Sequence, residues 1–294
     1  MRVTDRLLFD GLTKNLQRNA SELFRLQNIV STGKKINKPS DDPVSYSKIL
    51  EYDELISRSD QYTENIGHAI GFLGVSDSAL SGVGDILIRA KELAVAQGND
   101  TMNADDRQSA AIEVQNLFEE LVQLANTKLG DRYIFAGYKT QTEPFSTAGV
   151  YSGDSGEIMV EVGPDTTIQT NLPGDSLFKG IGGGIDIFTL LNDLKVNLEN
   201  NDGASVRGSL DNFDTASDII LNGRGDIGAR LNRLDRTMSN TEDLKIEIMS
   251  LRSGLEDADI IKAVSDLALQ QNVLEASRAS SARIIEPTLL DFLR

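Results

Sequence analysis

Residues 52–94, YDELISRSDQYTENIGHAIGFLGVSDSALSGVGDILIRAKELA, decide the architecture. Tyr52, Leu55, Ser59, Tyr62, Ile66, Ala69, Leu73, Ser76, Leu80, Val83, Leu87, Ala90 and Ala94 alternate at spacings of three and four without a break. A sustained 3.5-residue period keeps one face of a helix turned toward a partner and winds the two together. Extended to Val44 and Gln97, at a rise of 1.5 Å per residue, the predicted helix is roughly 80 Å long, so a rod is expected. Gly67, Gly71, Gly74, Gly82 and Gly84 interrupt it. Each either weakens the helix by about 1 kcal/mol relative to Ala or lets a neighbour approach.

On the N-terminal side, Asp42 and Pro43 are an N-cap and a first helical residue, because Pro lacks only an amide that would be unpaired there. The linker STGKKINKPSDDP (31–43) separates this start from an earlier stripe, Phe9, Leu12, Leu16, Asn19, Leu23, Leu26 and Val30, which predicts a helix ending at Gly33. On the C-terminal side, Asn103 with Asp106 resembles a capping box opening an antiparallel amphipathic helix through Ala110, Val114, Leu117, Leu121 and Leu124 up to Gly130. Residues 136–186 then read as a small β-rich insert with runs EIMVEV (157–162) and TTIQTNL (166–172), acidic and with Lys179 its only base over 140–186. A short helix at Phe188–Leu198 follows. The 3-4 spacing returns at Phe213, Ser217, Ile220, Ile227, Leu231, Leu234, Met238, Thr241, Ile248 and Leu255, then slips and resumes at Ile260, Val264, Leu267, Gln271 and Leu274. The expected class is mainly α: a long antiparallel helical bundle or coiled-coil rod with a small β-rich insert.

Composition narrows the chemistry. The 294 residues carry 29 basic and 45 acidic side chains, a net charge of −16, which repels a nucleic-acid backbone. Residues 1–35 depart from this balance with a net +4. Zero cysteines exclude disulfides and thiolate chemistry, and the single His68 excludes a multi-His metal site. Neither cofactor nor metal is expected. No run approaches 18 consecutive apolar residues, and Asp5 and Asp10 break the start of the chain, so neither a membrane span nor a cleavable secretory signal is expected. With aromatics at 5 %, burial should rest on Leu, Ile, Val and Ala.

Candidate chemical motifs have plain structural readings. Asp41–Asp42 and Asp105–Asp106 sit where helices begin, and acids favour the positive end of the helix dipole. His68 has no companion nucleophile. GIGGG (180–184) and GDSLFKG (174–180) miss the spacings of nucleotide loops. Arg224-Gly225-Asp226 lies inside a helical pattern, and Lys34, Lys35 and Lys38 read as a solvated linker. A hydrolase built from carboxylates of the 136–186 insert is the alternative of another class. The expectation is that the chain is not an enzyme. What remains is the terminal stripes, whose apolar faces a lone chain would leave partly bare.

Several separated segments carry a family resemblance. STGKKINKPSDDP (31–43) resembles the N-terminal signature of bacterial flagellins, and LALQQNVLEASRASSARIIEPTLLDFL (267–293) is similar to their C-terminal helix. Within NADDRQSAAIEVQNLFEELVQLANTKLGDRYIFAGYKTQTEPF (103–145), RYIFAGYKT followed by PF resembles the hook–filament junction members of that family rather than filament flagellin, and NGRGDIGARLNRLD (222–235) fits them too. The resemblance implies terminal helices (1–40 and 256–294) forming an inner assembly layer, a long-helix rod (41–135 and 187–255) and an outward-facing insert (136–186). The implied interface is Leu12, Leu16, Leu23, Leu26 and Val30 with Val264, Leu267, Leu274, Leu289 and Leu290. It further implies unfolded export through the flagellar secretion apparatus, an export chaperone on residues 260–294, and an extracellular place in the flagellum. Implied neighbours are other copies of the chain, a hook-side junction protein and flagellin; filament flagellin itself is the nearest alternative role.

Overall fold

The computed structural model describes the backbone of residues 2–292 and the side chains of Leu7 and residues 9–282. In chain order the elements are α1 (Arg2–Thr32), α2 (Pro43–Gln97), α3 (Ala104–Ala125), β1 (Lys128–Leu129), β2 (Arg132–Tyr133), β3 (Met159–Gly163) and β4 (Thr166–Gln169). They continue with α4 (Gly174–Phe178), α5 (Ile187–Glu199), α6 (Gly203–Gly208), α7 (Leu210–Glu256) and α8 (Ile260–Phe292). Long helices dominate, and the strands form two antiparallel hairpins, β1–β2 and β3–β4, the second pairing Val160 with Ile168. The chain divides into two compact units, Ser59–Asp243 and the pair of segments Met1–Arg58 with Leu244–Arg294; α2 and α7 contribute to both.

Capping chemistry places the helix starts where the sequence puts them. The Asp42 carboxylate accepts from the amides of Val44 and Ser45, both at 3.1 Å, satisfying donors that the first turn leaves free. Its pKa is lowered, first by the Ser45 hydroxyl and then by those amides. The Asn103 side chain accepts from Asp106 N at 2.8 Å and opens α3. That helix stops at Ala125, short of the expected Gly130. Asn126 instead turns its amide to the chain at Phe145, accepting from Phe145 N at 2.9 Å and donating to Phe145 O at 2.8 Å. Gly130 lies in the turn of the β1–β2 hairpin.

Within Ser59–Asp243 the 3-4 seam of α2 is the spine. Ile66, Ala69, Leu73, Ser76, Leu80, Val83, Leu87, Ala90 and Ala94 are all buried. Over an 18-residue stretch α2 is long and apolar enough to cross a membrane, and its buried seam residues belong to the core of this unit. Of the helix's glycines, Gly82 permits a close approach: a Cβ there would stand 2.9 Å from Leu124 Cδ1 of α3. A Cβ on Gly67, Gly71, Gly74 or Gly84 would meet no neighbouring side chain within 4 Å, so close approach explains none of the four and the helix-weakening role is left.

The expectation that aromatics contribute little to the core needs correction. Phe135, Phe145, Phe178, Phe188 and Phe213 are shut away from solvent, and four of them join in one cluster. Phe145 meets Phe178 edge-on at 5.3 Å and Phe188 at 5.0 Å, and Phe135 meets Phe178 at 5.1 Å. Such pairs add about 0.5–1.5 kcal/mol to the area they bury. The few rings are concentrated where the insert joins α5, so a low overall fraction still builds a dense core. A second device is polar. Arg107, 5 % exposed, donates to the carbonyls of Gln97 (3.0 Å), Asn99 (2.9 Å) and Asn201 (3.2 Å), tying the end of α2 to the turn after α5. Free carbonyls at helix C-termini carry partial negative charge, which suits a buried guanidinium.

Candidate assembly surface on the terminal helices

In the other unit, α1 and α8 pack against each other. The α1 seam follows the predicted spacing from Leu12 to Val30 but not at Phe9, which is 56 % exposed, and Ile29, outside the predicted stripe, is buried. Leu26 is 6 % exposed, and Leu12, Leu16, Leu23 and Val30 are half-buried. Its interrupting Asn19 is satisfied across the pair: its Nδ2 donates to Ser277 Oγ at 3.1 Å, and its backbone oxygen accepts from Gln270 Nε2 at 3.2 Å. A cleft between the helices is lined by Leu12, Leu16, Ser277 and Ser281, so the pair runs antiparallel, with the small residues of 276–282 opposite the N-terminal part of α1.

The α8 seam differs from the expected one. Ala263, Leu267, Gln270, Leu274, Ser277 and Ser281 are its covered residues. Val264 and Gln271 are exposed, Val264 to 47 %. Leu267 and Leu274 stand where the spacing puts them, while Ala263 and Gln270 take the covered places expected for Val264 and Gln271; α7 and α8 are separate helices with residues 257–259 between them. Of the implied interface residues, Leu26 and Leu274 are thus buried inside the chain's own pair. Leu12, Leu16, Leu23, Val30 and Leu267 lie at its margin, and Val264 stands outside it. The side chains of Leu289 and Leu290 lie outside the described residues.

Beside the seam, the pair presents large apolar groups to solvent: Phe9, Phe24, Ile261 and Leu269 are each more than half exposed. Phe24, Ile261 and Leu269 were not singled out by the spacing, since they fall off the 3-4 line; their signal is an apolar residue on a helix's second face. Phe9 and Phe24 lie about 22 Å apart along α1 at 1.5 Å per residue, so these groups are spread along the pair rather than gathered in one patch. Phe24 also lines a shallow groove with Arg25, Ile29, Lys35 and Lys38. The Arg25 guanidinium holds the Glu22 carboxyl below its ordinary pKa.

The remaining sequence candidates are structural. Asp41 accepts from the amides of Asn37 and Lys38, fastening the linker. Lys34 and Lys35 are tied into the fold rather than merely solvated: Lys34 pairs with Glu256 at 2.5 Å, and Lys35 Nζ donates to Gly254 O at 2.9 Å. His68 is exposed, with Glu64 3.8 Å away. Arg224 pairs with Asp77 at 2.8 Å, which accounts for the Arg-Gly-Asp tripeptide as part of a helix contact. In the insert, Asp154 accepts from the amides of Tyr138 and Gly156, and the buried Asp175 accepts from Ser155 Oγ and Ser176 N. These carboxylates shape loops. Burial raises the Tyr151 pKa, so its hydroxyl stays a donor, to Asp154 O at 2.8 Å. Among the described residues no group of three or more His, Cys, Asp or Glu could hold a metal ion.

Comparison with known proteins agrees with this architecture. Residues 11–140 match the family model of the bacterial flagellin N-terminal helical region, and residues 210–293 that of the C-terminal helical region. Flagellar hook-associated protein 3 of Escherichia coli is 29 % identical, with 94 % of this chain and 95 % of that protein covered. A flagellin of Listeria innocua is 24 % identical, with 94 % and 93 % covered. The crystal structure of the flagellar junction protein FlgL from Legionella pneumophila shares the fold, with a TM-score of 0.58 at 19 % identity, covering 73 % of this chain and all of that one. The two matched regions frame the insert and contain the paired helices with their bare apolar faces, and the chain accordingly belongs to the bacterial flagellin family, as a structural component of the flagellum.

Proposed function

We propose that this chain is the junction adaptor that joins the flagellar hook to the filament, a mechanical part and not an enzyme. The observation that carries the reading is the α1–α8 pair, which covers one seam and leaves Phe9, Phe24, Ile261, Val264 and Leu269 bare. Neighbouring copies, a hook-side junction protein and flagellin would supply the cover. The similarity to hook-associated protein 3 favours the junction over the filament. In this reading the termini (1–40 and 256–294) form the inner layer, 41–135 and 187–255 the rod, and 136–186 the outer surface. The chain travels unfolded through the secretion apparatus, a chaperone masks residues 260–294, and the terminal helices order as neighbours bury them.

Deleting residues 260–294 from the full chain should leave a folded middle that no longer joins a flagellum. Restored swimming of a null strain by the truncated protein would refute the assignment. The likeness to Listeria flagellin keeps a second reading in view, filament subunit. Immunogold labelling separates the two: a single band at the hook's end fits the junction, and label along the shaft fits a filament protein.

A further inference from the structure

The two non-helical segments bounding the terminal pair, after Thr32 and before Ile260, are fastened to each other. After α1 the chain turns at Gly33, φ +75°, whose carbonyl accepts from Ala258 N at 2.8 Å. Lys35 N donates to Glu256 O at 2.7 Å, and Lys34 and Asp257 pair as an isolated antiparallel bridge. Side chains repeat the link. Lys35 Nζ reaches Gly254 O, and Lys34 pairs with Glu256, which is only 8 % exposed. From the same helix end, Arg252 Nη1 donates to Asp53 Oδ1 of α2 at 2.7 Å, and this contact raises the Arg252 pKa. Ile36 and Ile49, both buried, line one cleft with Lys34, Asp53 and Glu256. Short backbone bonds, a mostly buried carboxylate and two covered isoleucines thus meet where α1 ends and α8 begins.

We propose that this junction is a clasp: in the unassembled chain it stays closed while α1 and α8 open from their far ends, and it fixes their register so that they order as a pair. The inference deepens the reading that the terminal helices order on assembly, and it concerns the chain before assembly. A seam of half-buried leucines, small residues and one Asn has, among the described residues, no backbone bonds between its two helices, whereas the junction has two across its segments beside the buried Ile36, Ile49 and Glu256.

Amide hydrogen exchange on the full-length monomer tests this. The amides of Lys35 and Ala258 should exchange at least tenfold more slowly than those of Leu12–Leu23 and Leu274–Ser281; equal or faster exchange at the clasp would overturn the proposal. Gly33→Val gives the second arm, because a β-branched residue resists a positive φ while its Cβ meets nothing closer than Ile260 Cδ1 at 4.0 Å. Lys35, Ala258 and both terminal helices should then exchange faster together, with Val83 and Leu87 unchanged. Glu256→Gln should do the same to a smaller degree. Terminal helices that keep their original rates while the clasp opens would contradict it. Flagellar incorporation reports separately on the junction role, so loss of that role would leave the amide result standing.

Discussion

Phe145, Phe178 and Phe188 are shut inside the Ser59–Asp243 unit, whereas Phe9 and Phe24 stand on α1 at 56 % and 67 % exposure. Both units draw on one amino-acid vocabulary and on helices with the same 3-4 spacing. The difference lies in how many faces of a helix find a partner within the chain. The α2 seam is enclosed by α3, the insert and α7, while α1 and α8 have chiefly each other. A helix apolar on more than one face, with one face covered, is a part awaiting a neighbour. The enclosed unit is therefore expected to fold alone, and the terminal pair to depend on company.

The largest test of that contrast is Phe145→Ala. Removing a ring from the middle of the cluster should cost about 3–5 kcal/mol and lower the main thermal transition sharply. A shift of less than a degree or two would mean that the cluster is not the unit's core. Arg107→Ala should follow at about 3 kcal/mol, since it strands three carbonyls that the guanidinium satisfies, and denaturant unfolding would measure it. Leu274→Ala is the opposite kind of change. Although Leu274 is 7 % exposed in the pair, the main transition should move by under ~0.5 kcal/mol while incorporation into flagella fails. A full core-type loss in the isolated chain would erase the distinction between the units. The smallest effect is in pH. Asp42 and Asp202 have lowered pKa values, through the Ser45 and Ser205 hydroxyls respectively, so their contribution is present above the ordinary carboxylate range and is lost as pH falls through the depressed values. Asp42→Asn with Asp202→Asn should flatten the acid limb of the stability curve below roughly pH 4.

Much of the fold was legible because local chemistry marks helix starts. Pro43, Asp42, Asn103 and the α2 seam needed only neighbours in sequence to be read. Three features were not. The end of α3 depends on Asn126 finding Phe145 across a loop, the aromatic cluster on chain segments that only folding brings together, and Arg107 on carbonyls of two distant turns. The candidate surface was half legible. Leu12 to Val30 follow a period, but in α8 the covered places fall to Ala263 and Gln270 where the spacing pointed to Val264 and Gln271, and the backbone bonds of Gly33 and Lys35 to 256–258 leave no mark in a helical period. Phe24, Ile261 and Leu269 form no single stripe and emerge only once the seam beside them is closed.

Backbone relaxation of the isolated, full-length chain weighs the two regions directly. Order parameters for Leu80–Ala94 should sit near the rigid value of about 0.85, and those of α1 and α8 far from the clasp below about 0.6. Uniformly rigid values through Leu12–Leu23 and Leu274–Ser281 would mean that the terminal pair is complete without neighbours, and the assembly account would be wrong.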